Sequence, residues 1–186
     1  MPNKVITVFS LMLFLYSCDS SLTPYEFKKY VENDENGYIS NIDNGTFSIQ
    51  LLYTPPEYLA VSYLRSNKIK SSDFKTLVDG YQDFDTYKLS IRSDDPKSMG
   101  GISSYLSFYM QPQIKKVCGT DTAECIIYQA EPYNAIDGQQ KIEIGFQKNN
   151  CNQEAWIVLK DTPLSTTEIN IPVPKPEKQT PQIELY

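Results

Sequence analysis

The sequence predicts an α+β domain, mainly antiparallel β in a sandwich-like or curled sheet, with about three short helices in its N-terminal half. Three observations carry that reading. Helical periodicity occurs early, between Thr23 and Tyr81. From Tyr87 onward, short runs alternate apolar with polar residues, the period of a half-buried strand. Breaks such as Asn44-Gly45 and Gly100-Gly101 punctuate the chain. Early helices among many short strands fit an α+β layer architecture.

The first helix is expected to start at Thr23-Pro24-Tyr25-Glu26. Thr caps the third helical amide, Pro suits the first helical position, and Glu26 closes a capping box. Asn36-Gly37 stops it. Strands are expected at Tyr38 to Ile42 and Thr46 to Tyr53, joined by a tight type I′ turn at Asn44-Gly45. The first device recurs at Thr54-Pro55-Pro56-Glu57 and opens a second helix reaching about Arg65. A third starts near Ser72, with Phe74, Leu77, Val78 and Tyr81 on one stripe.

Tyr87, Leu89 and Ile91 then mark a strand, and Ser93 to Gly101 reads as a turn-rich loop. Further strands are expected at Ser104 to Met110, Ile114 to Cys118, Glu124 to Gln129, Lys141 to Gln147, Ala155 to Leu159 and Thr167 to Val173. A Pro-rich segment, residues 172–181, reads as extended, and Gln182 to Tyr186 as a last edge strand. Residues 24–186 are expected to form a single domain.

The N-terminus reads differently. Val5 to Cys18 is an apolar run behind a single charge, Lys4. It falls short of the ~20 helical residues that span a bilayer, and its charged start and small-residue end are those of a secretory leader. Leu15-Tyr16-Ser17-Cys18 resembles the lipobox of bacterial lipoproteins, with Tyr16 departing from the usual small residue. That resemblance implies a signal peptide over residues 1–17, lipidation of Cys18 and a lipidated tether over residues 18–23. Several acyl chains, at about 0.8 kcal/mol per buried methylene, anchor a chain almost permanently.

The chain has a formal net charge of −6, and loss of the leader would remove one more lysine. An acidic surface argues against nucleic acid and against a peripheral grip on anionic lipid. The sequence contains no histidine. That removes histidine-based triads, histidine-ligated zinc and histidine proton shuttles together. There is no G-x-S-x-G, and no serine–lysine dyad is expected. The acidic pairs Asp94-Asp95, Asp83 with Asp85, and Asp34-Glu35 read as solvated loop acids, and Ser93 to Pro96 lacks the full ladder of a calcium loop. No enzyme activity, metal or cofactor is expected.

Cysteines remain at 118, 125 and 151. An exported chain tolerates a disulfide. Cys118 and Cys125 flank an expected hairpin loop and are the favoured pair, with pairings through Cys151 left open. Trp156 with Tyr105, Tyr109, Tyr128 and Tyr133 has the chemistry of a sugar-stacking platform, although such residues also fill sheet cores. Asp121-Thr122-Ala123 resembles a short bacterial O-glycosylation motif, which makes Thr122 a candidate acceptor at the hairpin tip.

The segments Y-V-E-N-D-E-N-G (30–37), L-L-Y-T-P-P-E-Y-L-A (51–60), Y-L-S-F-Y-M-Q (105–111) and C-I-I-Y-Q-A-E-P (125–132) resemble small lipoproteins of the Bacteroidota without established activity. The resemblance implies place and fold and transfers no catalytic residue. The functional expectation is therefore an exported, lipid-anchored accessory or interaction protein of the bacterial outer membrane. Its partners would be the membrane, through the N-terminal lipid, and an envelope protein. The alternative is a glycan- or ligand-binding lipoprotein of a nutrient-uptake system.

Overall fold

Two antiparallel sheets face each other across an apolar interior. The structure is a computed structural model that describes residues 21–149, 151, 153–160, 162–176 and 179–186. The expected leader, Cys18 and most of the tether lie outside the described residues.

In chain order the helices and strands are α1 (Pro24–Val31), β1 (Ile39–Asp43), β2 (Ser48–Tyr53), α2 (Pro56–Leu64), α3 (Ser71–Tyr81), β3 (Phe84–Arg92), α4 (Pro96–Phe108), β4 (Ile114–Cys118), β5 (Asp121–Glu124), β6 (Ile127–Ala130), β7 (Gln139–Gln147), β8 (Ala155–Leu159) and β9 (Ile169–Pro172). The first sheet runs β1-β2-β3-β7-β6 and the second β5-β4-β8-β9. The α+β expectation is met, and every strand pair is antiparallel.

The inner faces follow from alternation. Ile49 and Leu51 of β2, Leu89 and Ile91 of β3, and Ile142, Ile144 and Phe146 of β7 meet Ile157 and Leu159 of β8 and Ile171 of β9. A second apolar cluster lies on the other face of the first sheet. There Phe27 and Val31 of α1, Tyr58 and Val61 of α2, and Ile69 pack with Tyr38 and Leu52. Tyrosine rings link the two clusters. Tyr38 stacks on Tyr53 at 6.3 Å, Tyr53 meets Tyr87 at 5.6 Å, and Tyr87 meets Phe146 at 6.1 Å.

The capping box at Thr23 forms as expected: Glu26 accepts from the Thr23 backbone while Thr23 accepts from the Glu26 amide. Its apparent repeat at residue 54 does not. Pro55 is the cap of α2, and the Thr54 hydroxyl instead donates to Thr86 Oγ at 3.0 Å in the interior. The Asn44-Gly45 turn is looser than type I′. Gly45 has φ +84°, but among the described residues the only non-glycine with positive φ is Arg65, so Asn44 cannot adopt that turn. Asn44 instead accepts from the amides of Thr46 and Phe47 within a four-residue loop.

The largest departure is α4. The loop expected over residues 93–101 and the strand over 104–110 are one helix, capped by Asp95, which accepts from Lys97 N. Met99, Leu106 and Met110 are buried in the core, with Ile102 packed beside them, at helical spacing. Tertiary burial has overridden the glycine pair. The C-terminal edge strand also reduces to one bridge, Leu22 with Ile183.

Candidate functional site

A cavity of about 350 Å³ opens between the sheets where β3 and β4 come together. Alternation along β3 turns Asp85 to the same side as Tyr87, Leu89 and Ile91. Alternation along β4 turns Lys116 inward with Ile114 and Cys118. Two charges therefore enter the interior from opposite sheets. Lys116 Nζ donates to Asp85 Oδ2, with only 6% and 14% of the two side chains exposed. It also donates to Asn149 Oδ1 at 3.2 Å. Buried charges persist only when paired and hydrogen-bonded, and this pair satisfies that requirement.

The rest of the lining is polar and aromatic. Tyr53 and Tyr87, directly opposite each other on β2 and β3, form one wall. Burial, then the nearby Asp85 charge, pushes the Tyr53 hydroxyl up to about 12. The same two causes push Tyr87 further still. Lys175 stands exposed at the rim and donates to Gln153 O at 3.2 Å. Cys151 also lines the cavity, within the β7–β8 connection that carries Asn149.

That loop is tied down by the disulfide, which corrects the expected pairing of Cys118 with Cys125. Cys118 is bonded to Cys151, with Cα atoms 6.3 Å apart, and Cys125 is a free, buried thiol. The reason is register. β4 and β5 pair Cys118 with Asp121 and Lys115 with Glu124, so the hairpin turns at Gly119 and Thr120. Cys125 then falls beside Ile114, about 13 Å along the strand at roughly 3.3 Å per residue. A disulfide needs Cα atoms within about 7 Å. The same register moves Thr122 off the tip: it is an exposed residue of β5, opposite Val117.

The expected aromatic platform divides. Tyr105 of α4 and Tyr109, the residue that follows the helix, approach with ring centroids 6.4 Å apart. The Tyr128 hydroxyl donates to the Leu106 carbonyl, an otherwise orphaned acceptor of the last helical turn. Tyr105, Tyr128 and Tyr133 pack against the core, whereas Tyr109 is exposed. Trp156 of β8 lies on the opposite side of its strand from Ile157 and Leu159, which face the interior. Among the described residues no ring contact joins Trp156 to a tyrosine.

The acidic candidates also separate. Asp85 belongs to the buried pair. Asp95 caps α4, and its hydrogen bonds to Ser98 and Lys97 hold its carboxyl below the usual range. Asp94 is fully exposed near Arg92, and Asp34 and Glu35 lie in an exposed single turn of 3-10 helix. Among the described residues no three carboxylates or thiols converge as metal ligands. Against the expectation, Ser72 and Lys75 do hold the S-x-x-K spacing of a serine–lysine dyad. Both are exposed on α3, where Ser72 Oγ donates to Asp73.

A second, larger hollow of about 500 Å³ lies on the outer face of the first sheet. Cross-strand rungs Asn41–Gln50–Ser90–Lys141 and Asp43–Ser48–Arg92–Gln139 line that face. An antiparallel sheet ordinarily has one such solvated side. The inter-sheet cavity is the more unusual feature, because its charges are buried.

From the sequence, Asp85 is expected to be a solvated loop acid and Lys116 is not singled out; alternation along the two strands is the signal that could have found them. Asp85 and Lys116 are charged residues at core-facing positions of otherwise apolar half-strands. Comparison of the chain with protein-family models, with curated proteins and with solved structures finds no match.

Proposed function

We propose that this chain is an exported, lipid-anchored interaction protein of the bacterial outer membrane that acts by binding rather than by catalysis. The observation that carries the reading is the Cys118–Cys151 disulfide in a chain whose first residues read as a lipoprotein leader. Disulfides persist in oxidising compartments outside the cytoplasm. Cleavage and acylation at Cys18 would leave the domain on a tether of a few residues, close to the lipid surface. There it would serve as an accessory subunit of an envelope assembly.

A second reading, a ligand-binding lipoprotein of an uptake system, has one specific observation in its favour. The inter-sheet cavity is of the size of small-molecule sites, about 300–1,000 Å³.

The test is metabolic labelling with radioactive palmitate and membrane fractionation, for the wild type and Cys18→Ala. Label and membrane residence should both vanish in the variant. A wild-type chain that takes up no palmitate and fractionates as soluble would end the anchor proposal. Affinity purification of the anchored protein from its own membranes should then retrieve a stoichiometric envelope partner.

A further inference from the structure

The polar groups around the inter-sheet cavity are unevenly used. An ammonium has three donors, and Lys116 commits two of them, to Asp85 and Asn149. The hydroxyls of Tyr53 and Tyr87 make no hydrogen bond to any described residue. Nor are they sealed in, unlike the partnerless buried atoms Tyr133 Oη and Gln140 Oε1. The ammonium of Lys175 stands at the rim with one carbonyl contact.

The charges are uneven too. Asp85 is compensated by Lys116, which leaves Lys175 as the unmatched charge of the lining. In a chain of net charge −6 this is a locally positive, donor-rich hollow. Two hydroxyls, one N–H of Lys116 and the rest of the Lys175 ammonium are donors left over, which the oxygens of an anion can use. No arginine lines the cavity, and a single uncompensated cation matches one negative charge rather than two. The volume of about 350 Å³ is at the small end of ligand sites.

We propose that this cavity binds a small carboxylate, held by the hydroxyls of Tyr53 and Tyr87, the spare N–H of Lys116 and the ammonium of Lys175. The ligand's oxygens replace the water that these donors otherwise face. The Lys116–Asp85 pair stays intact and fixes the donor geometry, while the disulfide holds Asn149 and the cavity edge in place. This inference rests on the ligand-binding reading above and is independent of the lipid anchor.

Calorimetric titration of the purified full chain at constant ionic strength tests it, with acetate and propionate as probes and acetamide as the neutral control. Saturable one-site binding of a carboxylate, with none of acetamide, is expected. Tyr53→Phe and Lys175→Gln should each weaken it about tenfold, the worth of one hydrogen bond to a charged group. Lys175 is exposed, so its variant folds whether or not Tyr53→Phe does. The proposal is overturned if neither carboxylate gives saturable heat, if acetamide binds equally well, or if Lys175→Gln binds like the wild type. Tighter binding of inorganic phosphate than of either carboxylate would overturn the ligand class. Palmitate labelling reads none of these groups, so the two proposals fail separately.

Discussion

Lys116 of β4 and Asp85 of β3 meet across the interior and join the two sheets by a buried ion pair. The contact is demanding in both directions. Desolvating two charges costs several kcal/mol, and the pair recovers that cost only while both partners and the Asn149 amide are present. Lys116→Met alone leaves an unpaired carboxylate at the cavity and should cost about 3 kcal/mol. Asp85→Leu alone should cost a similar amount. The double variant should be stable to within about 1 kcal/mol of wild type, because apolar replacement of both partners removes the desolvation cost. Urea denaturation of the four proteins measures this. Strictly additive losses would show that the two residues are not coupled.

The disulfide makes a prediction about both stability and mapping. Its cysteines are separated by 33 residues in sequence. The chain-entropy relation for a loop of that length gives about 3.7 kcal/mol of stabilisation. Cys118→Ser/Cys151→Ser should lose roughly that amount, and Cys125→Ser far less. A peptide map under non-reducing conditions should recover Cys118 joined to Cys151. Burial pushes the Cys125 thiol up to about 11, so alkylation of the native protein should leave it unlabelled until denaturant is added. Recovery of a Cys118–Cys125 peptide would refute this fold of the second sheet.

Which parts were legible in the sequence follows from the range of the interactions that set them. The capping box of α1 and the strands β4 and β8 are local, and residue pattern alone places them. Asp85 lies ahead of the strand expected at Tyr87 to Ile91 and reads as a loop acid, and its meeting with Lys116 depends on which strands end up facing each other. The Cys118 pairing turned on hairpin length: a two-residue turn at Gly119-Thr120 carries Cys125 out of reach, and composition does not fix that length. The helix α4 was hidden because Gly100 and Gly101 oppose it locally, while the burial of Met99, Leu106 and Met110 that favours it is tertiary.

Alkaline pH should destabilise the fold through its tyrosines. Burial is the largest cause raising Tyr53, Tyr58 and Tyr87 above the ordinary value of 10.0. Below pH 10 all three are protonated in both states and contribute no slope. Above it the unfolded chain releases protons that the native chain retains, so stability falls as pH rises. The loss is at most about 1.4 kcal/mol per pH unit for each tyrosine. For Tyr53 it continues until about pH 12, its native value. Stability measured in urea at stepped pH should bend downward near pH 10. Tyr87→Phe should flatten the slope, and an unchanged slope would exclude Tyr87 as a contributor.

The helix α4 offers a test in which the protein should gain stability. Gly100 and Gly101 sit mid-helix, and a Cβ built on either meets no atom within 4 Å. Neither has the positive φ that excludes other residues. Glycine in a helix interior costs about 1 kcal/mol relative to alanine, mostly because the unfolded chain is freer. Gly100→Ala and Gly101→Ala should therefore each stabilise by about 1 kcal/mol, and nearly additively, since neither touches a common partner. The prediction depends on residues 96–108 being helical. A loop over 93–101 followed by a strand over 104–110 would show no such gain, because alanine is a poor strand former and a Gly-Gly turn relies on conformations that alanine resists. Two denaturation curves thus decide between the helix and the arrangement that local sequence pattern favours: a gain from both substitutions requires the helix, and a loss from either rejects it.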